Sequence, residues 1–331
     1  MRNIPAFALL VIIFFTPGAP VSGQSSGGQS SGREREYVFS IAPRFGLLYG
    51  HAEEIVYPTN TKGTYLSQLL WNMKPLFYYG FTADIARGDT MEKWGWFSGL
   101  SCKFGIPQIS GIHENRDWMS YVDSDLTHFS SHDNLTRELF FFDFSAGLSF
   151  PVKKLLWVKA FGNVSYGHFS FSGLDGYGRY ARIRNGDYDS INNSPQEYDY
   201  SGKVINYTQE WIILSPGFSA GARFLKNFSF EFSFLISPFI YCADLDEHLT
   251  TGTQYRDYMG WGLYLEPRVL LSWAPLAWLD VSLETGWRYI SGTRGETYSR
   301  PLGKGNYAGG SSEAGAGLSL LDAGLFFKFR L

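Results

Sequence analysis

From Tyr37 to the C-terminus the chain alternates between apolar and polar residues with a period of two. Phe39, Ile41, Phe45, Leu47 and Tyr49 share one phase, while Ser40, Ala42, Gly46, Gly50 and Ala52 take the other. Residues 135–150 set Phe140, Phe142, Phe144, Leu148 and Phe150 against Arg137, Asp143, Ser145, Gly147 and Ser149. Residues 278–289 set Leu279, Val281, Leu283 and Trp287 against Asp280, Ser282, Glu284, Gly286 and Arg288. Side chains alternate across a strand, so each stretch has one greasy and one polar face. The pattern predicts ten strands, at 37–57, 64–84, 91–113, 134–150, 155–175, 204–225, 228–248, 258–274, 278–294 and 308–331. Links near 151–154, 226–227 and 275–277 read as short turns, and polar stretches at 114–133, 176–203 and 295–307 as long loops.

Which face points inward decides the class. A soluble sandwich buries the apolar phase, whereas a membrane barrel turns it out to lipid around a polar lumen. Several runs reach 15 to 20 residues, against roughly 5–6 for an ordinary strand. Trp94, Trp96, Trp261, Trp273 and Trp278 fall near run ends, as interface girdles do. The reading is therefore all-β, a ten-stranded antiparallel transmembrane β-barrel.

Composition agrees. Aromatics make up 18% of the 331 residues, with 37 glycines, and Lys+Arg 28 nearly balance Asp+Glu 31. No apolar run approaches the ~20 residues a helical span needs, and the balance excludes a nucleic-acid binder driven by bulk positive charge. Cys102 and Cys242 are too few for a disulfide scaffold or a structural zinc site and read as independent buried thiols. Arg2, the apolar stretch Ala6 to Phe15 and the small residues Val21-Ser22-Gly23 form a secretory signal over residues 1–23. Residues 24–36, opening QSSGGQSSG, form a Gly/Ser-rich tether, and 37–331 the barrel.

The most informative chemistry is Asp244-Leu-Asp246-Glu-His248 near the end of the seventh strand. Residues 244, 246 and 248 share one face, and an Asp beside a His fixes its tautomer and stabilises the imidazolium. Taken alone, the triplet reads more simply as a polar loop edge. There is also a conflict of phase. Phe228, Phe230, Phe232, Phe234 and Ile236 set the lipid phase on even positions, which would send Asp244 and His248 outward. A β-bulge between Pro238 and Asp244 would turn them into the lumen.

Several further segments accompany this one in order along the chain. They are Glu54-Ile55-Val56-Tyr57, Ser67-Gln68-Leu69-Leu70-Trp71, Asp117-Trp118-Met119, and Thr127 through His132. With Asp244-Leu-Asp246-Glu247-His248 they resemble E-x-V-Y, S-Q-L-x-W, D-W-M, T-x-x-S-x-H and D-x-D-E-H of the omptin family of outer-membrane proteases. The similarity runs across nearly all of 37–331. It implies a bacterial outer-membrane endopeptidase of the aspartyl type that cuts polypeptides beside Arg or Lys, in a groove at the outer mouth, without cofactor or metal. By position Asp246 and His248 would be the dyad, with His248 the general base. Asp117 would be a facing carboxylate, and Glu54 and Asp244 would hold the basic side chain. Two carboxylates in a partly dehydrated pocket favour such a cation strongly.

The sequence departs from the family in two places. Asn115 stands where the family has the first Asp of D-x-D, leaving one facing carboxylate, with Arg116 adjacent. A register through Asp123-Ser-Asp125 restores the spacing but abandons the Trp-Met match. The family holds lipopolysaccharide through basic residues on the outer wall, and the corresponding positions here carry His168 and Glu210. A glutamate cannot pair with a lipid phosphate, so this lipid dependence is not expected. No nucleotide loop or serine-nucleophile motif is present, His132 reads as structural, and a monomer is expected. The alternative function is an inactive barrel of this type serving as a surface adhesin or binding protein. A passive channel is weaker, because Glu266, Arg268, Glu284 and Arg288 would fill a narrow lumen.

Overall fold

Long runs of alternating, aromatic and β-branched residues have to pair every backbone N–H and C=O somewhere, and in a bilayer only a closed sheet does so. The computed structural model describes residues 37–59, 61, 64–87 and 94–331. The signal and tether expected at 1–23 and 24–36 lie outside the described residues. Among those described, ten antiparallel strands close into a ring. They are Tyr37–Tyr57, Ser67–Arg87, a split third strand (Gly95–Gly105, Gln108–Asp117), His128–Lys153, Leu156–Tyr180 and Gln196–Leu225. The seventh (Phe228–Ser237, Ile240–His248), eighth (Thr253–Gly260, Leu263–Leu276) and ninth (Leu279–Ser291, Arg294–Pro301) are each interrupted once, and Ala308–Arg330 is the tenth. The first strand pairs with the tenth, Leu47 opposite Ala323, which closes the ring.

The apolar phase faces out. Phe45 is 58% exposed while its neighbour Arg44, in the lumen, is 2% exposed. Phe218, Phe232, Leu271 and Leu283 continue an external apolar band, and Trp94, Trp261, Trp273 and Trp278 lie exposed at its margins. Inside the band, charges cancel pairwise. Arg288 reaches Asp143 and Glu266 at 3.0 Å each, Arg268 reaches Glu266 at 2.8 Å, Lys103 pairs with Asp322, and Lys159 meets Glu231 at 2.7 Å. The lumen is filled rather than open.

Several strands run further than the hydropathy pattern indicates. The fourth begins at His128 rather than 134, the sixth at Gln196 rather than 204, and the ninth continues to Pro301 rather than ending at 294. Above the lipid band both faces are polar, so the alternation disappears while the backbone ladder continues. A small hairpin, Ile183–Arg184 with Asp187–Tyr188, occupies part of the loop expected at 176–203.

The seventh strand contains the extra residue that its phase conflict requires. Leu235 faces Gly217 but Ile240 faces Ile213, five steps on one strand against four on its neighbour. The Ser237 hydroxyl pins the break, donating to Leu214 O at 2.5 Å and accepting from Phe239 N–H at 2.8 Å. Below it Leu235 and Ser237 face inward; above it Ile240, Cys242, Asp244 and Asp246 do. The eighth and ninth strands invert at the same level, at Trp261-Gly262 and Gly292-Thr293, so Tyr264 and Ile290 are buried below while Asp257 and Thr293 are buried above. Gly292 there has φ 73°, a conformation that favours glycine. Cys102 and Cys242 are both free and buried.

Candidate active site

The inverted segments line a cavity of about 580 Å³ at the mouth, beyond the external apolar band. Aromatic residues form a floor beneath its lining, one inward position deeper than Leu69 and Ile205. Trp71 stacks on Tyr207 at 5.2 Å, on Phe171 at 5.4 Å and on His113 at 3.8 Å, and Trp71, Phe169, Phe171 and Tyr207 are fully buried. This layer separates the cavity from the charged lumen below.

On one wall the seventh strand presents Asp246 and His248. His248 Nε2 lies 2.6 Å from Asp246 Oδ2. Asp246 is 1% exposed and its Oδ1 has no partner. The pairing assigns the proton on Nε2 to Asp246 and leaves Nδ1 free to accept one. Tyr255 packs edge-on against the imidazole at 5.4 Å. Burial alone depresses the His248 pKa, but the adjacent Asp246 carboxylate, and Asp117 more remotely, reverse this and hold it above the ordinary histidine value.

The facing wall comes from the third strand. His113, Asn115 and Asp117 line the cavity, whereas Arg116 turns the other way and pairs with Glu114 at 2.7 Å. The adjacent cation is therefore kept out of the site. Ser67 Oγ donates to Asn115 Oδ1 at 3.2 Å. Desolvation pushes the Asp117 carboxyl up to about 6, against the opposing pull of Ser67 and His248. Asp123 and Asp125 are exposed on the loop and line no part of the cavity. His132 also lines the cavity, its Nδ1 held 2.5 Å from Asp175 O.

Beside the dyad lies a cluster of carboxylates. Tyr207 donates to Asp244 Oδ2 at 2.9 Å, and Tyr207 is itself held by Gln209, which accepts from Trp211 Nε1 at 2.8 Å. Glu54 reaches in from the first strand and is 2% exposed. Asp257, 1% exposed, stands directly opposite Asp244 in the ladder. One oxygen each of Glu54, Asp244 and Asp257 lie within 4.8 Å of one another, a set able to hold a cation. Like charges directly opposite on neighbouring strands are destabilising. Burial first, then mutual repulsion, drives Glu54 and Asp244 well above the usual carboxylate range, and burial pushes Asp257 up to about 6.

The structure thus brings Glu54, Asn115, Asp117, Asp246 and His248 to one cavity, with Asp244 buried behind its wall. Sequence reasoning missed Asp257, which lay just outside the predicted eighth strand. Its signal was available only through register, as the cross-strand partner of Asp244. On the outer wall, His168 lies 3.4 Å from both Glu138 and Glu210, and Tyr166 donates to Glu210 at 3.0 Å.

A family model described as the Omptin family matches residues 35–329. No curated protein sequence matches the chain at a significant level. Among solved structures, the outer membrane protease OmpT from Escherichia coli superposes with a TM-score of 0.74 at 16% identity, covering 89% of this chain and 97% of that one. The translocator domain of the autotransporter NalP from Neisseria meningitidis gives a TM-score of 0.31 at 10% identity, over 91% and 90% of the two chains.

Proposed function

The chain belongs to the Omptin family and is a barrel of the bacterial outer membrane, and from that premise we propose that it is an endopeptidase cleaving polypeptides next to Arg or Lys. The observation that carries this reading is the Asp246–His248 pair, 2.6 Å apart on the wall of a mouth cavity that Asp117 lines from the facing strand. A water between the two walls gives its proton to His248 Nδ1 and its oxygen attacks the scissile carbonyl. Asp246 stabilises the imidazolium that forms, Asp117 orients the water, and the imidazolium then protonates the departing amine. Glu54 and Asp244 take the basic side chain. The protein works as a monomer, and the His168–Glu138–Glu210 group replaces the basic outer wall through which the family binds lipopolysaccharide.

The test is hydrolysis of a fluorogenic peptide containing Arg-Arg or Arg-Lys by the refolded mature protein, with and without lipopolysaccharide, with His248→Ala as control. Cleavage lost in that variant supports the reading. A second reading, a binding barrel without catalysis, is favoured by Asn115, which supplies no charge to the facing wall. It predicts a folded barrel that binds basic peptides without cutting them.

A further inference from the structure

The acidic pocket contains one carboxylate more than the resemblance assigns to it. Glu54 and Asp257 line the cavity together with Asp246 and His248, while Asp244 sits behind them, tied through one oxygen to Tyr207. Glu54 Oε2, Asp244 Oδ1 and Asp257 Oδ1 are buried without any hydrogen-bond partner, on residues that are 2%, 4% and 1% exposed. Buried carboxylate oxygens are costly when unpartnered, so three together point to a ligand that supplies the missing donors.

The spacing says which donor. Three acceptors about 2.8 Å from a tetrahedral nitrogen lie about 4.6 Å from one another, and the three carboxylates offer oxygens within 4.8 Å of each other. A guanidinium is a planar fork, and three acceptors strung along its rim spread to roughly 6 Å between the outer two. A hard divalent cation needs about six or more oxygens, more than this set provides with one Asp244 oxygen already engaged. We propose that Asp257 is a specificity-determining residue that turns the pocket into a tripod for the ammonium of lysine, so that the protein prefers Lys to Arg at the cleavage site. This rests on the proposed peptidase reading and specifies its substrate. The elevated carboxyls of the pocket agree with it, since an entering ammonium replaces protons the carboxylates hold against their mutual repulsion.

The experiment uses two quenched fluorogenic peptides of one sequence, differing only in Lys or Arg at the cleavage position. Hydrolysis by the refolded full barrel is compared with that by Asp257→Asn and Asp257→Ser. The expected result is a kcat/KM at least tenfold higher for the Lys peptide, with this ratio falling at least tenfold in both variants. Equal rates, a preference for Arg, or a ratio that neither variant moves overturns the assignment. Binding of the same labelled peptides to His248→Ala, read by fluorescence anisotropy, separates the pocket from the chemistry. If neither peptide is cut but the Lys peptide binds tenfold tighter and loses this in His248→Ala/Asp257→Asn, the peptidase reading falls and the pocket stands. If neither peptide binds, or calcium chloride alone displaces the Lys peptide from a protein containing Asp257 but not from the Asp257→Asn form, the lysine tripod is wrong.

Discussion

Replacing Asp246 by Asn tests the dyad most directly, because it removes one charge and keeps the shape. In the native site two effects oppose each other at His248. Burial favours the neutral ring, and the carboxylate 2.6 Å away favours the imidazolium strongly enough to leave the pKa above 6.5. An opposite charge at such range is worth about 1–3 pKa units, or about 1.4–4 kcal/mol. The general base must be neutral to accept a proton, so kcat/KM should rise with pH through an apparent pKa above that of ordinary histidine. In Asp246→Asn burial is opposed only by the more remote Asp117, and the rising limb should move to lower pH by about 1–3 units. The imidazolium formed in the reaction also loses its counter-charge, so the plateau rate should fall by about 10²–10⁴-fold. Asp117 titrates in the same region, pushed up to about 6, so the limb belongs to a coupled pair. Asp117→Asn should therefore shift it in the same direction by less. The assay is peptide hydrolysis between pH 5 and 9 for the native protein and both variants. A limb that stays in place in Asp246→Asn, or a plateau within threefold of native, would show that His248 is not the base this carboxylate supports.

Asn115→Asp restores a second facing carboxylate, and exchanging a neutral acceptor for a charged one is worth about 1 kcal/mol; kcat/KM should rise about fivefold, and an unchanged rate would remove Asn115 from the site. Asp257→Asn should stabilise the empty barrel at pH 8. Its carboxyl is raised from 3.8 to about 6 in the folded state, so ionisation opposes folding and stability is lost as pH rises through that window, by a penalty on the order of 3 kcal/mol. Thermal melts at pH 8 and pH 4 check this, the gain being present at the first and absent at the second. Trp71→Ala should destabilise by about 3–5 kcal/mol through the cavity left in the aromatic floor, read as a lowered thermal midpoint. Lipopolysaccharide should leave the hydrolysis rate unchanged, since His168 is flanked by Glu138 and Glu210; a strict requirement for it would contradict this reading of the outer wall.

The strand count and the orientation of the barrel were legible because lipid contact forces a strict alternation on residues such as Phe228, Phe230 and Phe232. The same strictness made the phase of Asp244 and His248 look wrong and pointed to an extra residue near Pro238. What could not be read was that the neighbouring strands invert at the same level. Trp261-Gly262 and Gly292-Thr293 resemble ordinary strand content, and only pairing shows that Tyr241 faces Gly260 above the break while Ser237 faces Tyr264 below it. Asp257 was hidden for the same reason. Its meaning depends on standing opposite Asp244, a fact about register rather than about the residues around it.

The two halves of the interior use the same residue types in opposite ways, and this contrast marks the functional end. Below the aromatic floor, Asp143, Glu231, Glu266 and Asp322 each meet an arginine or lysine. Such pairing removes the penalty of burying a charge and leaves little affinity for anything else. Above the floor, Glu54, Asp244 and Asp257 are equally buried, yet each keeps an oxygen without a partner, and Asp246 has only His248. A wall that can pair its carboxylates with cations in one place and does not do so a few residues higher is not short of basic residues: Arg116 lies beside Asn115 and Asp117 but points outward to Glu114. The unpaired set is what a cationic side chain arriving from outside would complete, beside the Asp246–His248 pair.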